Sequence, residues 1–240
     1  MILNQLKSFV RYASRTARIT PIFQIFQQLQ RDGFASKTMH ALELFGCDGE
    51  HHTRDIAAAV GQLTIWEYAS HYEPILKRRF PQATVKITDS YQELANTAQK
   101  FDVVIADNHI GQVGGHYEHF DIFPAVFDVL ADRAVIITNV VPLVDSADSD
   151  WLARRRAFYS AEDGASITFA EMSRTYGQLA SSYGWRPERI YYKRRWRFNI
   201  TDSPFYYCVI QLRCKHRTRK ITGGLSDDTV SDGTIYSGIN

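Results

Sequence analysis

The chain has 240 residues, 45% of them hydrophobic and 22% charged, with a formal net charge of +2. This is the balance of a soluble globular protein long enough for one large domain plus extensions, and the charge is too small to imply a nucleic-acid partner by itself. No run reaches the ~18 apolar residues a bilayer span needs, and Cys47, Cys208 and Cys214 form no CxxC pair or disulfide framework, so a reducing, cytoplasmic setting is expected.

Residues 1–38 read as a helical extension. Leu3, Leu6, Val10 and Ala13 recur at helical spacing with Lys7, Arg11, Arg15 and Arg18 among them, without the apolar core and cleavage site of a secretory signal. Such a basic amphipathic helix suits a cap over a substrate site, a homodimer contact or a membrane surface. Pro21 after Thr20 starts a second helix that runs through Gln30 and is ended by Asp32-Gly33.

From residue 39 short apolar runs alternate with helical stretches. The expected strands are Met39–Leu44, Leu63–Glu67, Ala83–Thr88, Phe101–Ala106 and Ala134–Thr138. Helices fall at Glu50–Val60, Pro74–Phe80, Tyr91–Gln99 and Phe120–Leu130, and one long helical stretch covers Ser149–Ser182. Two further strands, Ile190–Phe198 and Phe205–Arg213, are joined by Thr201-Asp202-Ser203-Pro204, a connection short enough for an antiparallel hairpin. The expected fold is α/β: a mostly parallel Rossmann-like sheet with an antiparallel C-terminal hairpin and helices on both faces, over residues 39–214. Residues 215–240 read as a basic and then polar tail without periodicity.

Four acids stand at or just past the ends of the first four strands: Glu43, Glu67, Asp89 and Asp107. In an open α/β sheet ligands bind outside the carboxyl ends of the strands, so these acids are expected on one rim. An acid after a strand is also a common N-cap for the next helix, the competing use of Asp89. Strand one runs into the turn Glu43-Leu44-Phe45-Gly46-Cys47-Asp48-Gly49.

This ordered series, with the terminal hairpin, resembles the class I S-adenosylmethionine-dependent methyltransferases over residues 39–213. The resemblance implies S-adenosylmethionine as cofactor, held by Glu43, by the turn at Phe45, Gly46 and Gly49, and by Glu67 at the ribose hydroxyls. Tyr68 would pack on adenine, Asp89 with Ser90 would read its amino group, and Asp107 would lie near the transferred methyl. Phe45 and Cys47 occupy positions where the family's commonest form has glycine. The turn is similar to the D-L-F-x-G-S-G form of some nucleic-acid methyltransferases.

The loop after strand four carries His109, His116 and His119 with three glycines. Methyl transfer to a hydroxyl needs a proton acceptor, for which a neutral histidine suits. The catalytic candidates are His109, Asp107 and His116, with His119 next. His116-x-x-His119 with Glu118 or Asp107 also has the residue types of a metal pair, but strand five ends Thr138-Asn139 rather than in an acid, and no metal is expected. His51-His52 open the first helix, in reach of cofactor or acceptor or simply solvated.

The terminal hairpin carries Lys193, Arg194, Arg195, Arg197, Arg213, Lys215, Arg217, Arg219 and Lys220, interleaved with Tyr191, Tyr192, Trp196, Tyr206 and Tyr207. Such a surface suits nucleic acid, an anionic membrane or an acidic acceptor, or is an alternating strand with its arginines in water. The reading is a methyltransferase acting on oxygen or nitrogen of a small or carrier-linked metabolite. The alternatives are an RNA or DNA methyltransferase and a catalytically silent Rossmann-like partner protein.

Overall fold

The computed structural model describes residues 20–50, 52–107, 110–113, 115–195 and 205–215. The expected first helix, the tail beyond residue 215, and the residues His51, His109, Trp196 and Arg197 lie outside them.

The first described helix, α1 (Pro21–Arg31), begins where proline at its first position and Thr20 as cap dictate, the Thr20 hydroxyl accepting from the Phe23 N–H at 3.1 Å. The remaining elements are β1 (His40–Leu44), α2 (Thr53–Ala59), β2 (Gln62–Glu67), α3 (Glu73–Arg79), β3 (Thr84–Ile87), α4 (Ser90–Asn96) and β4 (Phe101–Ala106). A two-residue ribbon β5 (Gln112–Val113) and β6 (His116–Tyr117) follows, then α5 (Phe123–Asp128), β7 (Leu130–Val140), α6 (Ser149–Tyr159), α7 (Phe169–Ser182), β8 (Trp185–Arg195) and β9 (Phe205–Cys214).

The main sheet has seven strands in the order β3-β2-β1-β4-β7-β9-β8. Strands β3, β2, β1, β4 and β7 are parallel, and β9 runs antiparallel to both its neighbours. Strand order reverses at β1, so the crevice between β1 and β4 is the topological switch point where such sheets bind ligands. Period-two alternation sends side chains to two cores. Leu42, Leu44, Val104 and Ala106 face α5 and α7, while Ala41, Ile65, Val103 and Ile105 face the other side, where α1 buries Ile22, Ile25, Phe26 and Leu29.

The expected stretch Ser149–Ser182 is two helices. Ser160 closes α6 in the left-handed conformation at φ 51°, and the intervening loop packs so tightly that a Cβ on Gly164 would lie 2.0 Å from the Leu152 carbonyl oxygen. Thr168 and Glu171 then form a capping box that starts α7. Strand β8 begins at Trp185 rather than Ile190, because Gly184 at φ 79° turns the chain directly out of α7. It accommodates Pro187 because it is the edge of the sheet.

Candidate functional site at the switch point

The register places the acids. Leu44 pairs with both Trp66 and Ala106, so Glu43, Glu67 and Asp107 stand together at the carboxyl rim. The turn after β1 has left-handed backbone at three alternate positions: Phe45 at φ 62°, Cys47 at φ 49° and Gly49 at φ 72°. Two of these residues carry a Cβ, which costs about 1–2 kcal/mol each in that region. Gly46 is required for a different reason, since a Cβ there would meet the Ile65 side chain at 2.3 Å. Cys47 is exposed. Cys47→Gly is therefore expected to raise unfolding free energy by up to about 1 kcal/mol, the relief exceeding the added chain entropy. Urea denaturation checks this, and a loss of stability would show that the cysteine side chain has packing worth more than the strain.

Glu67 fixes the turn: its carboxylate accepts from the Cys47 N–H at 2.7 Å and the Ala69 N–H at 2.8 Å. Tyr68 beside it is 77% exposed. Asp89 caps α4 by accepting from the Tyr91 N–H at 2.9 Å, and Ser90 is buried. Phe45 packs toward Tyr91, whose ring stacks on His116 at 3.6 Å between centroids.

A charge cluster spans the crevice. The Thr53 hydroxyl donates to Glu43 Oε1 at 2.8 Å. The His52 ring lies between two carboxylates, Nε2 3.0 Å from Glu43 Oε1 and Nδ1 3.0 Å from Asp107 Oδ2. Neither nitrogen is aligned for a hydrogen bond, and the buried Glu43 Oε2 has no hydrogen-bond partner. Among the described residues, no group of three or more His, Cys, Asp or Glu side chains is placed to hold a metal ion. Arg195 from β8 and Tyr207 from β9 complete the charge cluster, Arg195 donating to Asp107 Oδ1 and the Tyr207 hydroxyl to Oδ2 at 3.1 Å. Burial alone would lower the His52 pKa, but Asp107 and Glu43 outweigh it and hold it up at about 10. Burial would raise Asp107, yet Arg195 and His52 bring it down to about 2. Asp107 is thus an ionised and fully partnered carboxylate that orients its neighbours.

His116 and His119 face different surroundings. His116 sits 3.5 Å from Asp121, whereas His119 is buried with Nε2 2.7 Å from the Tyr176 hydroxyl. Burial and the nearby Arg155 push His119 down to about 3, so it is a neutral core residue. Beneath the loop, fully buried Arg155 donates to Glu118 Oε1 at 2.9 Å, to the Gly164 carbonyl at 2.8 Å and to the Val141 carbonyl at 2.7 Å. The Trp151 indole N–H donates to the same Glu118 oxygen at 2.8 Å.

Among the described residues, several cations of the hairpin and its β7 neighbour are ion-paired within the fold, while Lys193, Arg194 and Lys215 are in no ion pair. Arg133, Arg186 and Arg213 all approach Glu188, Arg189 pairs with Asp32, and Arg195 pairs with Asp107. The sequence predicts Glu43, Glu67, Asp89 and Asp107 on one rim; Glu43, Glu67 and Asp107 stand together there, while Asp89 caps α4. It also puts His52 in reach of cofactor or acceptor, but it marks neither the bridging of two acids by that ring nor the parts of Arg195 and Tyr207. The available signal was topological: β9 runs antiparallel, so its first residues return to the rim where β4 ends.

No family model matches the chain, and no curated protein matches it. Solved structures do. A protein of Galdieria sulphuraria assigned as a sarcosine dimethylglycine methyltransferase superposes with TM-score 0.51 at 12% identity, over 80% of this chain and 84% of its own. Magnesium protoporphyrin IX methyltransferase from Synechocystis, with bound SAH, gives 0.50 at 15% identity, covering 80% and 81%. A Pyrococcus horikoshii protein assigned as an RNA methyltransferase gives 0.50 at 10% identity, covering 82% of both chains. The chain therefore has the class I methyltransferase fold. Among the described residues no helix is long and apolar enough to cross a membrane.

Proposed function

We propose that the protein is an S-adenosylmethionine-dependent methyltransferase acting on oxygen or nitrogen of a small or carrier-linked metabolite, in the cytoplasm. The observation that carries this reading is the buried, unpartnered Oε2 of Glu43 at the switch-point crevice of this fold. A carboxylate oxygen left without a donor in the interior is costly, and a ligand amino group offsets that cost. The residues fit the cofactor. The turn retains left-handed backbone at its alternate positions. Glu67 has about four lone-pair sites, of which the backbone amides take two. The others suit ribose hydroxyls, with Tyr68, Asp89 and Ser90 toward the base. Bound there, the cofactor supplies an electrophilic methyl group on a sulfonium. His109 is the proposed general base and His116 the second choice, while Asp107 positions its neighbours. An RNA or DNA acceptor is the second reading: ion pairs within the fold take Arg186, Arg189, Arg195 and Arg213 from such a surface, whereas Lys193, Arg194 and Lys215, which are in no ion pair among the described residues, support it.

Calorimetric titration with S-adenosylhomocysteine tests the reading. Micromolar binding is expected, weakened about tenfold to a hundredfold by Glu67→Gln, which removes charge from the hydrogen bonds it accepts. Absence of binding to folded wild-type protein would leave the silent-partner reading.

A further inference from the structure

The Glu43–Asp107 pair brings two carboxylates to the same crevice, and a crevice so built selects a cation. In this structure the cation is the chain's own. His52 reaches across from the start of α2 and places one ring nitrogen 3.0 Å from each carboxylate. It is held by charge rather than by directed bonds: neither nitrogen is aligned for hydrogen bonding, and its side chain makes no cap bond to α2. It is also the most open member of the trio, 12% exposed against 1% for Glu43 and 3% for Asp107. The carboxylates keep other anchors, Glu43 to Thr53 and Asp107 to Arg195 and Tyr207, and so would stay in place if the ring left.

We propose that the His52 ring is an internal occupant of an ammonium subsite formed by Glu43 and Asp107, and that the amino group of the methyl donor displaces it on binding. This rests on the cofactor reading above. The ligand class is an α-amino acid carrying a primary ammonium, and His52 acts as a latch that makes donor entry competitive with the protein's own side chain. The groups facing the ring are Glu43 from β1, Asp107 after β4, Thr53 on α2 and Tyr207 from β9, whose ring centroid is 6.3 Å away, with Arg195 behind Asp107. Swung into water, the imidazole returns to its ordinary pKa near 6.5 from about 10.

Two measurements on the full chain test the latch, with S-adenosylhomocysteine as probe. The first uses wild-type protein: binding heats at pH 8 in two buffers of different ionisation enthalpy should show about one proton released per ligand. The second uses His52→Ala, which should bind about tenfold more tightly because the competing occupant is gone. Should that variant fail to fold with its carboxylates uncompensated, the wild-type proton count still decides. Binding with no proton release overturns the latch and leaves the cofactor reading standing. Binding to neither protein overturns the cofactor reading, and the latch with it.

Discussion

Arg155→Ala should destabilise the protein by about 3–5 kcal/mol, the cost of breaking a buried ion pair from one side. Arg155 is 0% exposed, and its guanidinium serves Glu118, the Gly164 carbonyl and the Val141 carbonyl together. Its removal leaves a carboxylate in the interior without its cation, where burial already raises the Glu118 pKa against the pull of Arg155. Lysine should not rescue, because a single ammonium cannot reproduce the planar fork that reaches three acceptors. Urea denaturation at neutral pH measures the loss. A cost below about 1 kcal/mol, typical of exposed pairs, would show that the network is solvated. The same network anchors the loop that presents His116, so the variant's defect should extend to the rim.

Stability should fall as pH rises from about 6.5 toward 10, and His52→Gln should remove most of that fall. The folded pKa of His52 is raised to about 10 from 6.5, so the native state holds a proton that the unfolded chain has lost. Its contribution is complete below about 6.5 and disappears as pH passes through the folded value, with a slope of at most about 1.4 kcal/mol per pH unit. Asp107 has the opposite sign: its folded pKa of about 2 gives a contribution present above 3.8 and lost as pH falls toward 2. His119, held near 3, stays neutral while the unfolded chain gains a proton below 6.5, so it too weakens the fold in acid. Unfolding free energies measured across pH 6–9 in wild type and variant would decide. Parallel curves would mean that His52 does not carry its proton between Glu43 and Asp107.

The fold was legible because its signals are local. Buried apolar runs such as Phe101–Ala106 and caps such as Thr20-Pro21 are written in adjacent residues. Three of the rim acids follow from the same signals, since each lies at or next to the end of a strand. The break between α6 and α7 was hidden because it depends on Ser160 taking a left-handed conformation and on Gly164 touching Leu152, neither of which changes hydrophobic periodicity. The site was legible only in part for a related reason. His52, Asp107, Arg195 and Tyr207 meet through strand order, and residues 88 and 100 positions apart carry no mutual mark in the sequence. Phe45 and Cys47 look like losses of glycine, yet the backbone keeps φ of 62° and 49° there, which letters do not record.

Asp32, at the end of α1, accepts from Arg189 and from Gln211, residues 157 and 179 positions further on, and Arg133 donates to its carbonyl while stacking on Phe34. The earliest described helix is thus fastened by some of the last residues to be made. During synthesis its apolar face, Ile22, Ile25, Phe26 and Leu29, must wait for Tyr207 and Val209 before its core is complete. Residues of β1, α2, β2 and β4 cover part of this face early, and the last part of its core closes only when β9 is in place.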